Sequence, residues 1–409
     1  MELTGVRLLL VLPQLPHDAA SGAARSARTI CELLAHAGCE VHALATTATE
    51  RGDSSNPLET LRELGIQPTC ERAPSKQRDR PEICFTDRGV HYRLLDVGSR
   101  PVSAWPQLYG RQFDLLFDHS LHSFRPDVMF GFGGTAGDVR RYQRARRQGV
   151  KVVFTLQNPF YQTPGLLDHM DGVLTASQFL ADLYYASIGL DSTPIPLPIS
   201  REDVVAQNPD PIFFTMINPS PEKGLMFMAR LAEELGVRRP DIPLLVVESR
   251  GSGGRLVQAG LLGGFDLRRH ENLMMASTVM RPSEIYGPTR ALLVPSVWPE
   301  AFGRVAAEAL LNGIPPIVSD RGGLPEVCSD AGFVVPIAGE FTAAQRVPVP
   351  ASAVEPWLEL MFRLEDDRGF YETAAAGCAA AGDRFEAARL APRYVDYFAS
   401  ILVKPLIRP

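Results

Sequence analysis

Short apolar runs recur along the chain, each followed by a turn of small residues or proline and then by a stretch with helical period. Val6 to Leu12 is the first such run and reads as a buried strand. It ends at Pro13 and a loop of small residues, Ala19-Ala20-Ser21-Gly22-Ala23-Ala24, ahead of a predicted helix from Arg25 to Ala37 that Gly38 closes. Glu40 to Ala45 is a second strand, so the chain opens with a β-α-β unit. Residues 46–100 alternate polar, proline and charged stretches and read as a variable excursion. Pro126 to Gly134 is predicted to be a strand and glycine turn, and Gly149 to Leu156 the next strand. Leu174 to Phe179 ends a strand and starts a helix, with Ser177 as N-cap.

Thr193-Pro194-Ile195-Pro196-Leu197-Pro198 is stiff and cannot be helical, which makes it a domain boundary. Beyond it the same alternation restarts. Ile212 to Ile217 is a strand, 218–224 a loop, Leu225 to Leu235 a helix and Leu244 to Glu248 a strand. Further on, Ala291 to Val294 is a buried strand, 295–299 a loop, and Phe302 to Leu311 a helix stopped by Asn312-Gly313. Ile314 to Val318 is another strand, and Asp320-Arg321-Gly322-Gly323 a turn feeding Leu324-Pro325-Glu326, with proline at a first helical position. Two successive α/β halves follow from this pattern.

Composition narrows the class. With 409 residues, 45% hydrophobic and 22% charged, the chain has the length for two or three globular domains. A net charge of −6 argues against a nucleic-acid partner held by overall charge. Cys31, Cys39, Cys70, Cys84, Cys328 and Cys378 are scattered without metal-ligand spacing, so free thiols are expected and no metal site. Leu8 to Leu12 is too short for a signal peptide or membrane span, which leads to the expectation of a cytoplasmic protein.

Residues 295–327 carry the most chemistry. Glu300 and Glu308 are eight positions apart, a rise of about 12 Å along a helix, too far for an acid–base dyad but suited to the two ends of one long ligand. Between them, backbone N–H groups near Phe302, Gly303 and Arg304 suit an anion at a helix start. A second set is expected at Gly322-Gly323, at the carboxyl end of the neighbouring strand. The alternative is that Glu300 caps the helix and Glu308 lies on a solvated face. Lys223, at the start of a predicted helix, opposes the helix dipole unless an anion lies beside it.

The pattern Glu300-x-Phe302-Gly303, Glu308-Ala309, Gly313-x-Pro315, Gly322-Gly323-x-Pro325-Glu326 resembles family 4 of the retaining glycosyltransferases. That resemblance implies a GT-B fold: two Rossmann-like α/β domains facing each other across a cleft, spanning residues 1–195 and 196–383. It also implies a C-terminal helix, 384–409, returning to the N-terminal domain. The first glutamate would lie by the donor sugar and the second on the ribose of the nucleotide. Amides around Phe302-Gly303 and Gly322-Gly323 would face sugar and phosphates, and Lys223 the donor diphosphate. The donor is a nucleotide diphosphate sugar, and no cofactor or metal is obligatory, although magnesium is compatible. The acceptor, a small molecule, glycan or lipid-linked group, is not specified.

Three positions depart from the family pattern or leave it open. An arginine usual about five residues before the lysine is replaced by Asn218, which keeps hydrogen bonding without the charge; Arg250 and Arg304 are conceivable substitutes or surface groups. A histidine usual after the strand ending at Leu156 is replaced by Gln157, which cannot titrate near neutral pH. The Ser21-Gly22 loop either presents amides to phosphate or is a simple turn. Arg140, Arg144 and Arg147 share one predicted helix face, either a docking patch for anionic lipid in a peripheral membrane contact or a solvated face. His119, His122 and His169 show no catalytic spacing. Asn218 and Gln157 motivate an alternative, a catalytically impaired nucleotide-binding relative acting as a scaffold. A nicotinamide dehydrogenase is remote because no G-x-G-x-x-G follows the first strand.

Overall fold

The computed structural model describes residues 3–52, 56–68, 70–72, 80–163, 165–329, 331–345 and 347–403. The chain forms two compact units, Met1–Pro198 with Ala387–Pro409, and Ile199–Glu386. Among the described residues no helix is long and apolar enough to cross a membrane.

The first unit is built on nine strands: β1 (Arg7–Val11), β2 (Glu40–Thr46), β3 (Cys70–Arg72), β4 (Glu82–Asp87), β5 (Val90–Leu95), β6 (Val128–Gly131), β7 (Lys151–Leu156), β8 (Gly172–Thr175) and β9 (Thr193–Pro194). Their order is β3-β4-β5-β2-β1-β6-β7-β8-β9. From β5 to β9 every pairing is parallel, and β1, buried between β2 and β6, is the near-continuous apolar run such a position demands. The excursion of residues 46–100 contains an antiparallel extension of the sheet, β3-β4-β5. Its hairpin turns on Arg88-Gly89, both at positive φ (45° and 80°), the two-residue geometry that matches strand twist. The first helix, Gly22–His36, starts three residues before the expected Arg25, because Gly22-Ala23-Ala24 continue the helix once Ser21 accepts the Ala24 N–H at 3.3 Å. Ser177 caps its helix as expected, accepting the Leu180 N–H at 3.1 Å.

The last helix, Ala387–Val403, belongs to this first unit, where it buries Leu390, Tyr394, Phe398 and Ile401 in the core. Phe398 meets Phe130 edge to face at 5.5 Å. Tyr394 donates to the Pro196 carbonyl at 3.0 Å. It begins at Ala387 because Asp383–Phe385 form a separate tight turn. Residues 404–409, included in the expected returning segment, lie outside the described residues, as does the Cys70 side chain.

One buried histidine links the loop after β1 to the hairpin. His17 Nε2–H donates to Asp87 Oδ2 at 3.1 Å, with the ring against Tyr92 and Phe85. Burial, only partly offset by the hydrogen bond to Asp87, pushes the imidazole down from 6.5 to about 4. Unfolded chains therefore take up a proton between those values that the folded chain refuses. Stability is lost as pH falls from about 6.5 towards 4, by about 1.4 kcal/mol for each unit in that window. Melting temperatures measured across pH 6.5 to 4.5 are expected to fall less steeply in His17→Gln than in the wild type; equal slopes would show that His17 does not govern this window.

The second unit carries β10 (Phe213–Ile217), β11 (Leu244–Val247), β12 (Leu273–Ala276), β13 (Thr289–Val294), β14 (Pro316–Val318) and β15 (Phe333–Val334). All are parallel, in the order β12-β11-β10-β13-β14-β15. In chain order this is 3-2-1-4-5-6, the doubly wound arrangement, and its direction reverses between β10 and β13. Phe214, Met216, Leu293 and Ile317 from the sheet pack with Leu231 and Trp357 from the helices to form its core. Loops leaving the carboxyl ends of β10, β13 and β14 are consequently neighbours.

Candidate active site

Those three loops hold one carboxylate between them. The loop after β10 runs through a short turn, Pro221–Lys223, to Gly224, whose φ of +82° brings its α-carbon so close to the Pro295 carbonyl that any Cβ would overlap it. This contact, with Val297 N–H donating to Glu222 O at 3.1 Å, sets the loops after β10 and β13 side by side. Lys223 Nζ then donates to Glu300 Oε1. Ser296 Oγ donates to the same oxygen at 2.5 Å. From the β14 side, Ser319 Oγ donates to Ser296 O at 2.7 Å and Gly323 N–H to Glu300 O at 2.8 Å. Gly322, at φ +65°, lies flat against the Glu300 backbone. Among the described residues none donates a hydrogen bond to Glu300 Oε2.

Gly323 spends its N–H on the Glu300 carbonyl, so this amide fixes the glutamate loop. Gly303, not Glu300, caps the helix Arg304–Leu311, at φ +100° and without any side-chain cap. The helix begins two residues after the expected Phe302 because the Phe302 ring is buried edge to face on Phe385, 5.5 Å between centroids, and anchors the entry. Glu308 is 1% exposed, which removes the solvated-face alternative. Tyr286 OH donates to its Oε2 at 2.8 Å and Arg304 Nε to its Oε1 at 2.8 Å. Arg304 is accordingly a half-buried partner of Glu308, whereas Arg250 is exposed. Sequence reasoning missed both Ser296 and Tyr286. Ser296 was findable, as the second residue beyond its strand in the same motif; Tyr286, 22 residues from Glu308, carried no local signal.

Asn218 is a hinge pin. It sits at φ +63°, 7% exposed, and its Oδ1 accepts the Gly251 N–H at 2.7 Å, tying the loop after β10 to the loop after β11. Asparagine tolerates that left-handed conformation better than most residues. An arginine there would lose the bond and strain the backbone, so Asn218 is not simply a phosphate arginine that has lost its charge.

Gln157 and Gly22 both lie in the first unit. Gln157 follows β7, half-buried, with Nε2 at a long 3.4 Å from Thr155 Oγ1. Gly22 opens its helix beside carboxylates: Ser21 Oγ donates to Glu50 at 3.3 Å, and Asp18 accepts the Ala20 and Glu50 N–H groups at 2.9 and 2.8 Å. The helix start itself carries no acidic residue in its first turn, and Ser21 Oγ accepts the Ala24 N–H. The arginine stripe is also interrupted. Arg144 pairs with Asp114 and Asp118 at 3.0 and 2.9 Å, Arg141 with Asp114 and Asp138 at 2.8 Å, leaving Arg140 and Arg147 exposed. Cys31, Cys39, Cys328 and Cys378 are buried thiols and Cys84 a half-buried one. Among the described residues no three carboxylate, histidine or cysteine groups converge as metal ligands.

Two parallel-sheet α/β units, the second with the Glu300 loops at its switch point, define the GT-B class of glycosyltransferases. Residues 21–197 match the glycosyl transferase 4-like domain and residues 198–346 the glycosyl transferases group 1 family. The chain belongs to this group 1, family 4-type glycosyltransferase family. No curated protein sequence matches it significantly. Solved structures similar to it include sucrose-phosphate synthase from Thermosynechococcus elongatus, at 16% identity and TM-score 0.66, covering 97% of this chain and 99% of that one. Anabaena HepE in complex with UDP and glucose has 15% identity and TM-score 0.65, covering 96% and 99%. The catalytic domain of starch synthase IV from Arabidopsis thaliana, bound to ADP and acarbose, has 13% identity and TM-score 0.67, covering 96% and 100%. At these identities the likeness is one of fold.

Proposed function

We propose that this glycosyltransferase moves a sugar, with retention, from a nucleotide diphosphate sugar to an acceptor. The observation that carries the reading is the convergence of Lys223 and Ser296 on Glu300 at the switch point of the second sheet, where doubly wound folds take their ligands. Complexes of the HepE and starch synthase IV structures with UDP or ADP are consistent with a nucleotide donor. Lys223 is paired with Glu300. An arriving diphosphate would draw the ammonium onto its own oxygens, and the freed carboxylate would face the sugar. Lys223 and the uncapped start of the helix Arg304–Leu311 would then stabilise charge building on the departing diphosphate, an electrostatic contribution from preorganised donors. Glu300 would support the positive charge that develops on the sugar carbon. With retention by front-face substitution, the leaving phosphate takes the acceptor's proton, so Gln157 need not titrate. Magnesium is not required by this arrangement.

Glu308 is assigned to the ribose, whose hydroxyls can donate to a carboxylate. Titration calorimetry with UDP, GDP, ADP and dTDP is expected to show selective micromolar binding of one nucleotide, weakened about tenfold in Glu308→Gln, about 1.4 kcal/mol. The melting temperature of the variant separates lost contact from lost fold. Absence of binding by all four nucleotides would overturn the donor-site reading, and binding without any sugar-nucleotide hydrolysis would favour a scaffold.

A further inference from the structure

Behind the turn Pro221–Lys223 of the second unit lies a cavity of about 320 Å³. It is bounded by the first turn of the helix Leu225–Arg238, one face of the helix Gly253–Leu262 and the segment 341–345. Its wall is mostly apolar, with Pro221, Leu225, Leu262, Val297 and Phe341 along it. Leu262 remains 57% exposed. Among the described residues no carboxylate lines the cavity, and the one cation that does is Arg255.

Arg255 is placed where a cation is disfavoured. It is the third residue of its helix, close to the positive end of the helix dipole, and the first turn holds no acidic residue to offset it. The Ser252 side chain does not cap that helix either. Nearby, Arg230, Arg238, Arg239, Arg268 and Arg269 each pair with a carboxylate. Among the described residues Arg255 pairs with none and is exposed. Positions 255, 259 and 262 share one helix face, so the guanidinium stands at one end of a wall that continues through Ala259 to Leu262. An apolar wall ending in one unanswered cation suits a small carboxylate with an aliphatic body, and the cavity is within the range of small-molecule sites. Free phosphate would leave the wall wet. A neutral hydrocarbon would leave Arg255 unanswered.

The wall is also part of the scaffold around Glu300. Pro221 opens the turn that carries Lys223. Val297 precedes Glu300 by three residues, and its N–H donates to Glu222 O at 3.1 Å. A ligand touching both Pro221 and Val297 therefore bears on the loops after β10 and β13 together.

We infer that this cavity is an effector site for a small aliphatic carboxylate, and that its occupancy shifts the loops carrying Lys223 and Glu300. The inference rests on the cavity and the fold, not on the donor assignments. Tryptophan emission provides a readout that needs no nucleotide. Of the three tryptophans, Trp105 and Trp357 are buried in the cores, whereas Trp298 is half-buried and adjoins Val297. Cyclohexanecarboxylate, which does not absorb at the exciting wavelength, is titrated into the full chain beside cyclohexanemethanol and inorganic phosphate. A saturable change in emission at millimolar carboxylate is expected, absent with the two controls and lost in Trp298→Phe. Binding is expected to be about tenfold weaker in Arg255→Gln and weaker still in Leu262→Glu. Both positions are exposed, so melting temperatures are expected to match the wild type. Saturating carboxylate is expected to change the affinity for the nucleotide selected by calorimetry by about fivefold or more, and to lose that effect in Arg255→Gln. No saturable binding, equal affinity in Arg255→Gln, or an equal response to cyclohexanemethanol would overturn the site. Binding that leaves both Trp298 emission and nucleotide affinity unchanged would overturn its role as an effector site. Carboxylate binding and a Trp298 response in a protein that binds none of the four nucleotides would sink the donor reading and leave this inference standing.

Discussion

Glu300→Gln is expected to lower sugar-nucleotide turnover by about a hundredfold to a thousandfold while nucleoside diphosphate binding is held or tightened. Both halves follow from one contact. Lys223 Nζ and Ser296 Oγ meet on Glu300 Oε1, so the ammonium is paired with the carboxylate and a diphosphate would have to compete for it. The glutamine side chain fills the same volume and can still accept from Ser296, but it no longer holds Lys223 by charge. The lysine is then more available to the diphosphate, which favours binding, while the positive charge developing on the sugar carbon loses its counter-charge. With Lys223 25% and Glu300 13% exposed at the side chain, the competition is fought in a partly desolvated setting where charge matters more than at the open surface. Calorimetry with the nucleotide and single-turnover kinetics with its sugar conjugate, at one ionic strength, read the two effects separately. A parallel fall of both would mean that Glu300 only braces the loop, and the catalytic assignment would fail.

The parallel strands were legible because each is buried on both faces and so appears as an apolar run, as at Leu8–Val11, Val152–Leu156 and Leu292–Val294. The hairpin β4-β5 was not, although Ile83, Phe85, Val90, Tyr92 and Leu94 alternate with polar residues on either side of Arg88-Gly89; its period of two was read as irregular polarity. The motif around Glu300 was legible, but the contacts that hold it were not. Spacing put Glu300 before a helix, but its contact with Lys223 spans 77 residues and exists only because β10 and β13 are neighbours. Asn218 shows the same limit from another side. Its type suggested a lost charge, whereas its φ of +63° and its bond to Gly251 give it a structural reason that no spacing rule contains. The arginine stripe could not be read as continuous from spacing alone, because Asp114 and Asp118, on the preceding helix, pair with Arg144.

Gly322→Ala is the sharpest test of how the carboxylate is held. A methyl group at this position would overlap both the backbone nitrogen and the carbonyl oxygen of Glu300, and these are backbone atoms that cannot swing aside as a side-chain tip would. Alanine at φ +65° adds about 1–2 kcal/mol of strain. The Glu300 segment has to move outward, which breaks the Gly323 N–H bond to Glu300 O and shifts the carboxylate away from Lys223 and Ser296. Misplacement of a reacting group by about 1 Å costs roughly a hundredfold in rate, so turnover is expected to fall by about that factor. The cores of the unit are untouched, because Phe214, Leu293 and Trp357 lie within the sheet and helix layers rather than in this loop. Melting temperature is therefore expected to drop by only a few degrees, with nucleotide affinity close to that of the wild type. Glu300→Gln and Gly322→Ala combined are expected to be little worse than Glu300→Gln alone, since a glycine that acts only by placing the carboxylate has nothing left to place. Additive losses in the double variant would show that Gly322 also serves the ligand directly, through its own amide, as the sequence alone had led one to expect.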